Sequence, residues 1–171
     1  KIPYDVLVFG TGTTPLMSGI PGEDREGVFK LQKFTDALRI KAWLRELPCR
    51  KAIIVGAGFI GMEMTEALRN LGIETSVYHR GTLPVKRWDP EFSQVVLDEL
   101  RRQEVGFVTE TETKAVEAGK NHRLRLVTNH GEDEADIILL AVGTRPEVTL
   151  ARQIGLPLGK TGAIQVNFSQ Q

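Results

Sequence analysis

Three glycines in the run Gly56-Ala57-Gly58-Phe59-Ile60-Gly61 stand at a spacing that could hold an anion. The run follows a continuous apolar segment, Ala52-Ile53-Ile54-Val55, and opens a stretch of helical spacing from about Phe59 to Leu71. Together with Thr75-Ser76-Val77-Tyr78 this makes a strand–turn–helix–strand unit of about 30 residues. Gly56 permits the tight turn. Gly58 lets the backbone approach a diphosphate, because a side chain there would collide with it. Gly61 permits close packing of helix on strand. The free N–H groups at the helix start, those of Phe59 and Ile60 among them, and the helix dipole favour phosphate charge. The competing reading is a tight turn with no ligand.

The residue ending the second strand decides which nucleotide such a turn prefers. An acid about 20 residues past the glycines accepts the ribose 2′-hydroxyl and repels a 2′-phosphate. Here the position holds His79-Arg80, with Lys86 and Arg87 shortly after, and no acid at 78, 79 or 80. Cations in place of an acid suit the 2′-phosphate of NADPH, since Arg can bind it bidentately. NADPH is therefore preferred over NADH, with a solvated basic loop as the alternative.

Other reactive side chains form no second constellation. Cys49 has no second cysteine and no evident His partner, and is expected to be inert. His122 and His130 fall in expected hairpin turns and are expected to be exposed. Glu132-Asp133-Glu134 reads as a short acidic turn, and no carboxylate or His spacing matches a metal site. Met62 and Met64 neighbour the glycine turn, with Met64 read as core. No nucleophile with a base is found, so no catalytic residue is assigned.

The elements that must position the glycine turn follow from punctuation and periodicity. Residues 4–9 read as a buried strand leading to Gly10-Thr11-Gly12 and a loop to about Gly27. A helix capped by Thr35 should present Ala37, Ile40, Leu44 and Leu47 inward and stop at Pro48. The helix after the glycines should bury Ile60, Met64, Ala67 or Leu68, and Leu71, with Gly72 in the left-handed position behind it. Asp89-Pro90 should start a third helix with Phe92, Val96 and Leu100 inward. Residues 107–110, 113–118 and 123–128 read as an antiparallel meander. Residues 135–143 read as another buried strand ending at a glycine, and residues 163–167 as a last short strand.

The fold class expected is α/β: a Rossmann-type three-layer domain with a central parallel sheet of about four strands and a three-stranded antiparallel meander. The 171 residues suffice for one sizeable core, and 41% apolar with 26% charged residues is ordinary for a globular chain. Zero formal net charge excludes a general attraction to nucleic acid or membrane, and no apolar run reaches a membrane span. One cysteine points to a reducing compartment, and the chain is expected to be cytoplasmic. The first residue is not Met and strand patterns run close to both termini, so both ends are expected to be cut from a longer chain.

The motifs together resemble the FAD-dependent pyridine nucleotide-disulfide oxidoreductases, a group that includes glutathione reductase-like, coenzyme A-disulfide reductase-like and NADH oxidase-like enzymes. The resemblance is carried by Tyr4-Asp5-Val6-Leu7-Val8-Phe9-Gly10-Thr11-Gly12 with Pro15, by Ile20-Pro21-Gly22, and by Gly27-Val28-Phe29. It continues through Val55 to Glu63, through Leu140-Ala141-Val142-Gly143-Thr144-Arg145-Pro146, and through Gly162-Ala163-Ile164-Gln165-Val166-Asn167. Gly10 replaces the family's usual alanine, and Glu147 stands where asparagine is common. The family's first FAD fingerprint, the redox cysteine behind it, a later G-D motif and the C-terminal dimerisation domain have no counterpart here.

The resemblance implies that Gly56, Gly58, Phe59, Ile60 and Gly61 bind the pyridine nucleotide and not FAD. It implies that Glu63 lies near the nicotinamide and flavin, with a first-turn acid favouring the helix dipole as the alternative. It matches Arg80 to a cation of NADPH-preferring members, His79-Arg80 to the coenzyme A-disulfide reductase type, and Val142 and Gly143 to the nucleotide side of the sheet edge. The expected organisation is residues 1–24 as part of a FAD domain and linker, 25–150 as the NAD(P)H-binding domain, and 151–171 as a return to the FAD domain. FAD would belong only to the full-length parent, a homodimer, whose FAD and dimerisation domains are this chain's expected partners. The isolated chain would bind nucleotide without turnover. The rival functions are a non-catalytic nucleotide-sensing or interaction module, or a Rossmann-type domain for FAD or S-adenosylmethionine.

Overall fold

The computed structural model describes residues 2–171, which divide into two compact units, residues 17–143 and residues 2–16 with 144–171. The boundaries expected from the resemblance lay at 24 and 150.

In the larger unit, β2 (Val28–Phe29), β3 (Lys51–Val55), β4 (Glu74–Tyr78), β5 (Gly106–Val108) and β9 (Ile137–Leu140) form one parallel sheet in the order β2-β9-β3-β4-β5. Helices α1 (Phe34–Glu46), α2 (Phe59–Asn70) and α3 (Pro90–Arg102) connect its strands. A separate antiparallel sheet holds β6 (Thr113–Ala118), β7 (Leu124–Thr128) and β8 (Gly131–Ala135). The result is the Rossmann-type three-layer arrangement. Strand alternation sorts its core into two clusters. Ala52, Ile54, Val77, Ile137 and Leu139 face Ile40, Leu68 and Leu100 of the helices. Ile53, Val55, Ile138 and Leu140 face Val116, Leu124 and Leu126 of the antiparallel sheet. With both faces covered, β3 and β9 have no use for polar positions, which is why they read as continuous apolar runs.

Several expectations are corrected. The parallel sheet has five strands, because β5 pairs with β4 and does not belong to the meander. The third meander strand is β8 instead, so Glu132-Asp133-Glu134 is strand and not turn. An acidic strand is tolerated because its partners are basic: Arg125 pairs with Glu132, and Lys51 reaches Asp133 at 2.7 Å. Tyr78 Oη also donates to Asp133, at 2.8 Å, tying the meander to β4.

The inner faces of α2 and α3 match the expectation at Leu68 and Leu100, with Met64 packed against the core, and depart from it elsewhere. α2 buries Gly61, Thr65 and Leu68, while Ile60 and Leu71 stay exposed. Gly61 sets this phase, since a Cβ on it would lie 2.1 Å from Gly56 O; it must face the strand. Thr65 can then be buried because its hydroxyl donates to Gly61 O at 2.7 Å. α3 buries Ser93, Leu97 and Leu100, and Phe92 is exposed.

At α1 the cap is Lys33 and not Thr35. The Asp36 carboxylate accepts the N–H groups of Gln32 and Lys33, and Ala37 faces solvent. Gly72 behind α2 and Asp89-Pro90 before α3 stand where expected. Gly72 N–H donates to Arg69 O and Ile73 N–H to Leu68 O, which closes the helix and reverses the chain within two residues.

In the smaller unit, β1 (Thr13–Pro15) pairs antiparallel with β10 (Thr144–Pro146), and α4 (Thr149–Gln153) follows. No strand forms over residues 4–9. Val6 and Val8 are 79% and 84% exposed, and the run finds no ladder partner among the described residues. Without a neighbour to take its N–H and C=O groups, an apolar run has no reason to become a strand. Residues 163–167 likewise contribute one isolated bridge, Leu158 to Ile164.

Candidate nucleotide-binding site

β3 ends at Val55 between two neighbours, paired with Tyr78 of β4 and Leu140 of β9. The chain then turns through Gly56 at φ +106° and enters α2 with Gly58 as its N-cap. The three glycines answer to different causes. A Cβ on Gly56 would lie 2.4 Å from Ala141 O, and one on Gly61 would meet Gly56 O, so the chain's own backbone demands both. Gly58 has an ordinary φ of −84°, and a Cβ there would meet nothing within 4 Å. Among the described residues no atom requires a glycine at 58.

The start of α2 carries no side-chain cap and no acid in its first turn. The first intrahelical bond is Met62 N–H to Gly58 O, which leaves the N–H groups of Phe59, Ile60 and Gly61 outside the helix ladder. Their partial positive charge is available to an anion. Glu63 lies past this turn on the exposed face, so it does not offset the helix dipole as a first-turn acid would.

Around this turn the structure gathers most of the sequence-predicted residues of the larger unit. Phe59 and Ile60 are partly exposed at the helix start. Val142 packs against the meander-side core, and Gly143 takes φ +113° beyond β9. Arg80 and Lys86 are exposed and make no ion pair among the described residues.

His79, unlike these cations, is turned inward. Its ring is half-buried, with Nδ1 3.4 Å from Ala57 N and Phe107 alongside. Burial, reinforced by the charges of Arg80 and Lys86, lowers its pKa, so it is neutral at pH 7 and braces the turn from beneath. Gly81 makes room for it, since a Cβ there would lie 2.7 Å from His79 Nε2.

Two residues of this region escaped the sequence reading as site elements. Val85 and Trp88 stand directly beside the glycine turn: Val85 N–H donates to Ala57 O at 2.8 Å, and the Trp88 ring meets Phe59 edge-on with centroids 5.6 Å apart. Lys86 and Arg87, which the sequence reading did pick out, lie between them.

The remaining reactive groups lie elsewhere. Burial pushes the Cys49 thiol up to about 11, which keeps it protonated at neutral pH. His122 is only partly exposed and sits 3.0 Å from Asp136, at the opposite end of β3 from the glycines. No metal-ligand cluster and no helix long and apolar enough to cross a membrane occurs among the described residues.

A glycine turn between a central parallel strand and an uncapped helix, with a second parallel strand ending beside it, defines a domain of the Rossmann type. The chain belongs to the pyridine nucleotide-disulphide oxidoreductase family, whose model matches residues 1–171. It is 35% identical over 169 residues to the NAD(P)H sulfur oxidoreductase (CoA-dependent) of Pyrococcus abyssi, covering 98% of this chain and 37% of that protein. The solved NAD-dependent persulfide reductase of A. fulgidus superposes with a TM-score of 0.84 at 36% identity, over 92% of this chain and 29% of that one. A FAD-dependent pyridine nucleotide-disulphide oxidoreductase from Desulfovibrio vulgaris superposes with a TM-score of 0.81 at 29% identity, over 97% of this chain and 42% of that one. The chain thus spans well under half the length of each of these relatives.

Proposed function

We propose that the larger unit binds NADPH, and NADH less tightly, through its diphosphate at the Gly56–Gly61 turn, and presents the nicotinamide to a FAD carried by the rest of a longer flavoprotein oxidoreductase. The observation that carries this reading is Gly58. Two of the three glycines are explained by backbone contacts within the chain; the third is explained by a ligand that needs the space a side chain would fill. The N–H groups of Phe59, Ile60 and Gly61 hold the diphosphate charge. Arg80 and Lys86 bind the 2′-phosphate, Arg80 in the bidentate manner a guanidinium allows. Glu63, Val142 and Gly143 border the nicotinamide half. When bound, the nicotinamide supplies a hydride; this chain's residues contribute position, which is the larger part of what such a transfer asks of a protein. The relatives' names, sulfur and persulfide reductases among them, suggest a sulfur-containing electron acceptor handled by parts of the protein beyond this chain.

The test is calorimetric titration of the 171-residue chain with NADPH, NADH, FAD and S-adenosylmethionine. Saturable binding of NADPH is expected, with a colourless protein that does not oxidise it unaided. Gly58→Ala should weaken NADPH by about tenfold or more with little change in melting temperature. Arg80→Glu should weaken NADPH more than NADH. Binding of FAD or S-adenosylmethionine alone, or a Gly58→Ala chain that binds as well as the parent, overturns the reading.

A further inference from the structure

Val85 is a β-branched residue at φ +43°, in the left-handed region that such side chains rarely occupy, and it is 5% exposed. Something must hold it there. Its N–H donates to Ala57 O at 2.8 Å, within the glycine turn, and its own carbonyl accepts Trp88 N–H at 2.8 Å. Residues 85–88 are therefore a β-turn with Lys86 and Arg87 as its two central residues. The turn is fastened at both ends to the phosphate-binding segment, by the Val85 clamp on Ala57 and by the Trp88 ring on Phe59, the first residue of α2. Pro84 is fully buried just ahead of it. Exposed lysine and arginine side chains ordinarily carry much conformational freedom; here the backbone beneath two of them is fixed relative to the N–H groups that face the diphosphate.

We propose that Val85 is a positioning residue for nucleotide selectivity: its clamp on Ala57 sets the Lys86-Arg87 turn beside the glycine turn, so that these cations meet a phosphate on the adenosine ribose. This rests on the dinucleotide reading above and adds to it a residue that touches no ligand. The selectivity then resides in the backbone geometry of the turn as well as in the charges it carries.

The experiment compares NADPH and NADH affinities for the parent chain, Val85→Pro and Val85→Asn, with circular dichroism and melting temperature measured on each. Proline has no N–H to donate to Ala57 and cannot take a positive φ. Asparagine keeps the N–H and tolerates the left-handed conformation. Val85→Pro should cut the NADPH-to-NADH affinity ratio by at least about fivefold, and Val85→Asn should keep it within about twofold of the parent. A merely structural role would lower the melting temperature and leave the ratio alone. A folded Val85→Pro chain with the parental ratio overturns the proposal, as does a Val85→Asn chain that loses the ratio. If Val85→Pro does not fold, the Val85→Asn ratio decides alone. A parent chain that binds both nucleotides equally refutes the 2′-phosphate assignment itself, and a parent that binds neither refutes the dinucleotide site. These last two outcomes are distinct from a failure of the clamp alone.

Discussion

Two apolar runs of similar sequence meet opposite fates in this molecule. Ile53-Ile54-Val55 becomes part of an enclosed central strand of the larger unit, with Ile53 and Ile54 wholly inaccessible to solvent. Val6-Leu7-Val8 in the smaller unit stays exposed and forms no ladder. The side chains of the two runs are nearly interchangeable; their surroundings are not. β3 has a parallel neighbour on each edge and a packed layer on each face. Among the described residues, the smaller unit has one ladder of three residues against three and one isolated bridge, and its single buried apolar side chain is Ala151. β-propensity is a preference for fitting a sheet that already has edges to offer.

Substitutions can break that contrast or sharpen it. Ile54→Ala should cost about 2–5 kcal/mol in urea unfolding, because it opens a cavity in the middle of the helix-side core. A loss below about 1 kcal/mol would mean that β3 is not the anchor described here.

A smaller effect belongs to Glu134 on β8, whose carboxylate accepts the N–H groups of Lys120, Asn121 and His122 at 2.7–3.0 Å. These bonds pull its pKa from an ordinary 4.5 down to about 2. A folded pKa below the unfolded one adds stability that is complete above about pH 4.5 and is lost as pH falls toward 2. Glu134→Gln should therefore flatten the change in urea midpoint between pH 5 and pH 3, an interval chosen to span most of that range. An unchanged pH dependence would show that the β6–β7 hairpin is held by other groups. The smallest effect is expected at the exposed run: Val8→Ala should shift stability by no more than about 0.5 kcal/mol. A larger loss would show that residues 4–9 are enclosed in solution, and the comparison would fail.

The same contrast explains how far the sequence could be read. The glycine turn, α2, Gly72 and the Asp89-Pro90 start of α3 were legible because each rests on local chemistry: a φ only glycine adopts readily, a proline in a first turn, an apolar run between two covered faces. The inner faces of α2 and α3 were legible at Leu68 and Leu100 but not at the helix starts, where the large apolar Ile60 and Phe92 are exposed and the smaller Gly61 and Ser93 are buried. What fixes α2 is a 2.1 Å clash that a Cβ at 61 would make with Gly56, a contact no periodicity reports. β5 and β8 exchanged roles for a related reason. Phe107 and its neighbours look like any short strand, and only pairing with β4 places them in the parallel sheet. The acid-rich β8 looks like a turn until its basic partners on β7 and β3 are known.

At the candidate site the placing of the glycines between strand and helix could be read from types and spacing. The inward turn of His79 and the left-handed Val85 could not, since both depend on backbone brought from elsewhere in the chain.

One consequence follows from the way α2 ends. The helix runs 12 residues, about 18 Å, away from the glycine turn, and the two-residue reversal at Gly72 sends β4 straight back along β3 until Tyr78 draws level with Val55. Outward and return paths are measured off against each other, so the helix works as a ruler. The gap between the glycine turn at one end of the helix and the close of β4 is thereby a matter of chain length, cast into the domain before any ligand arrives.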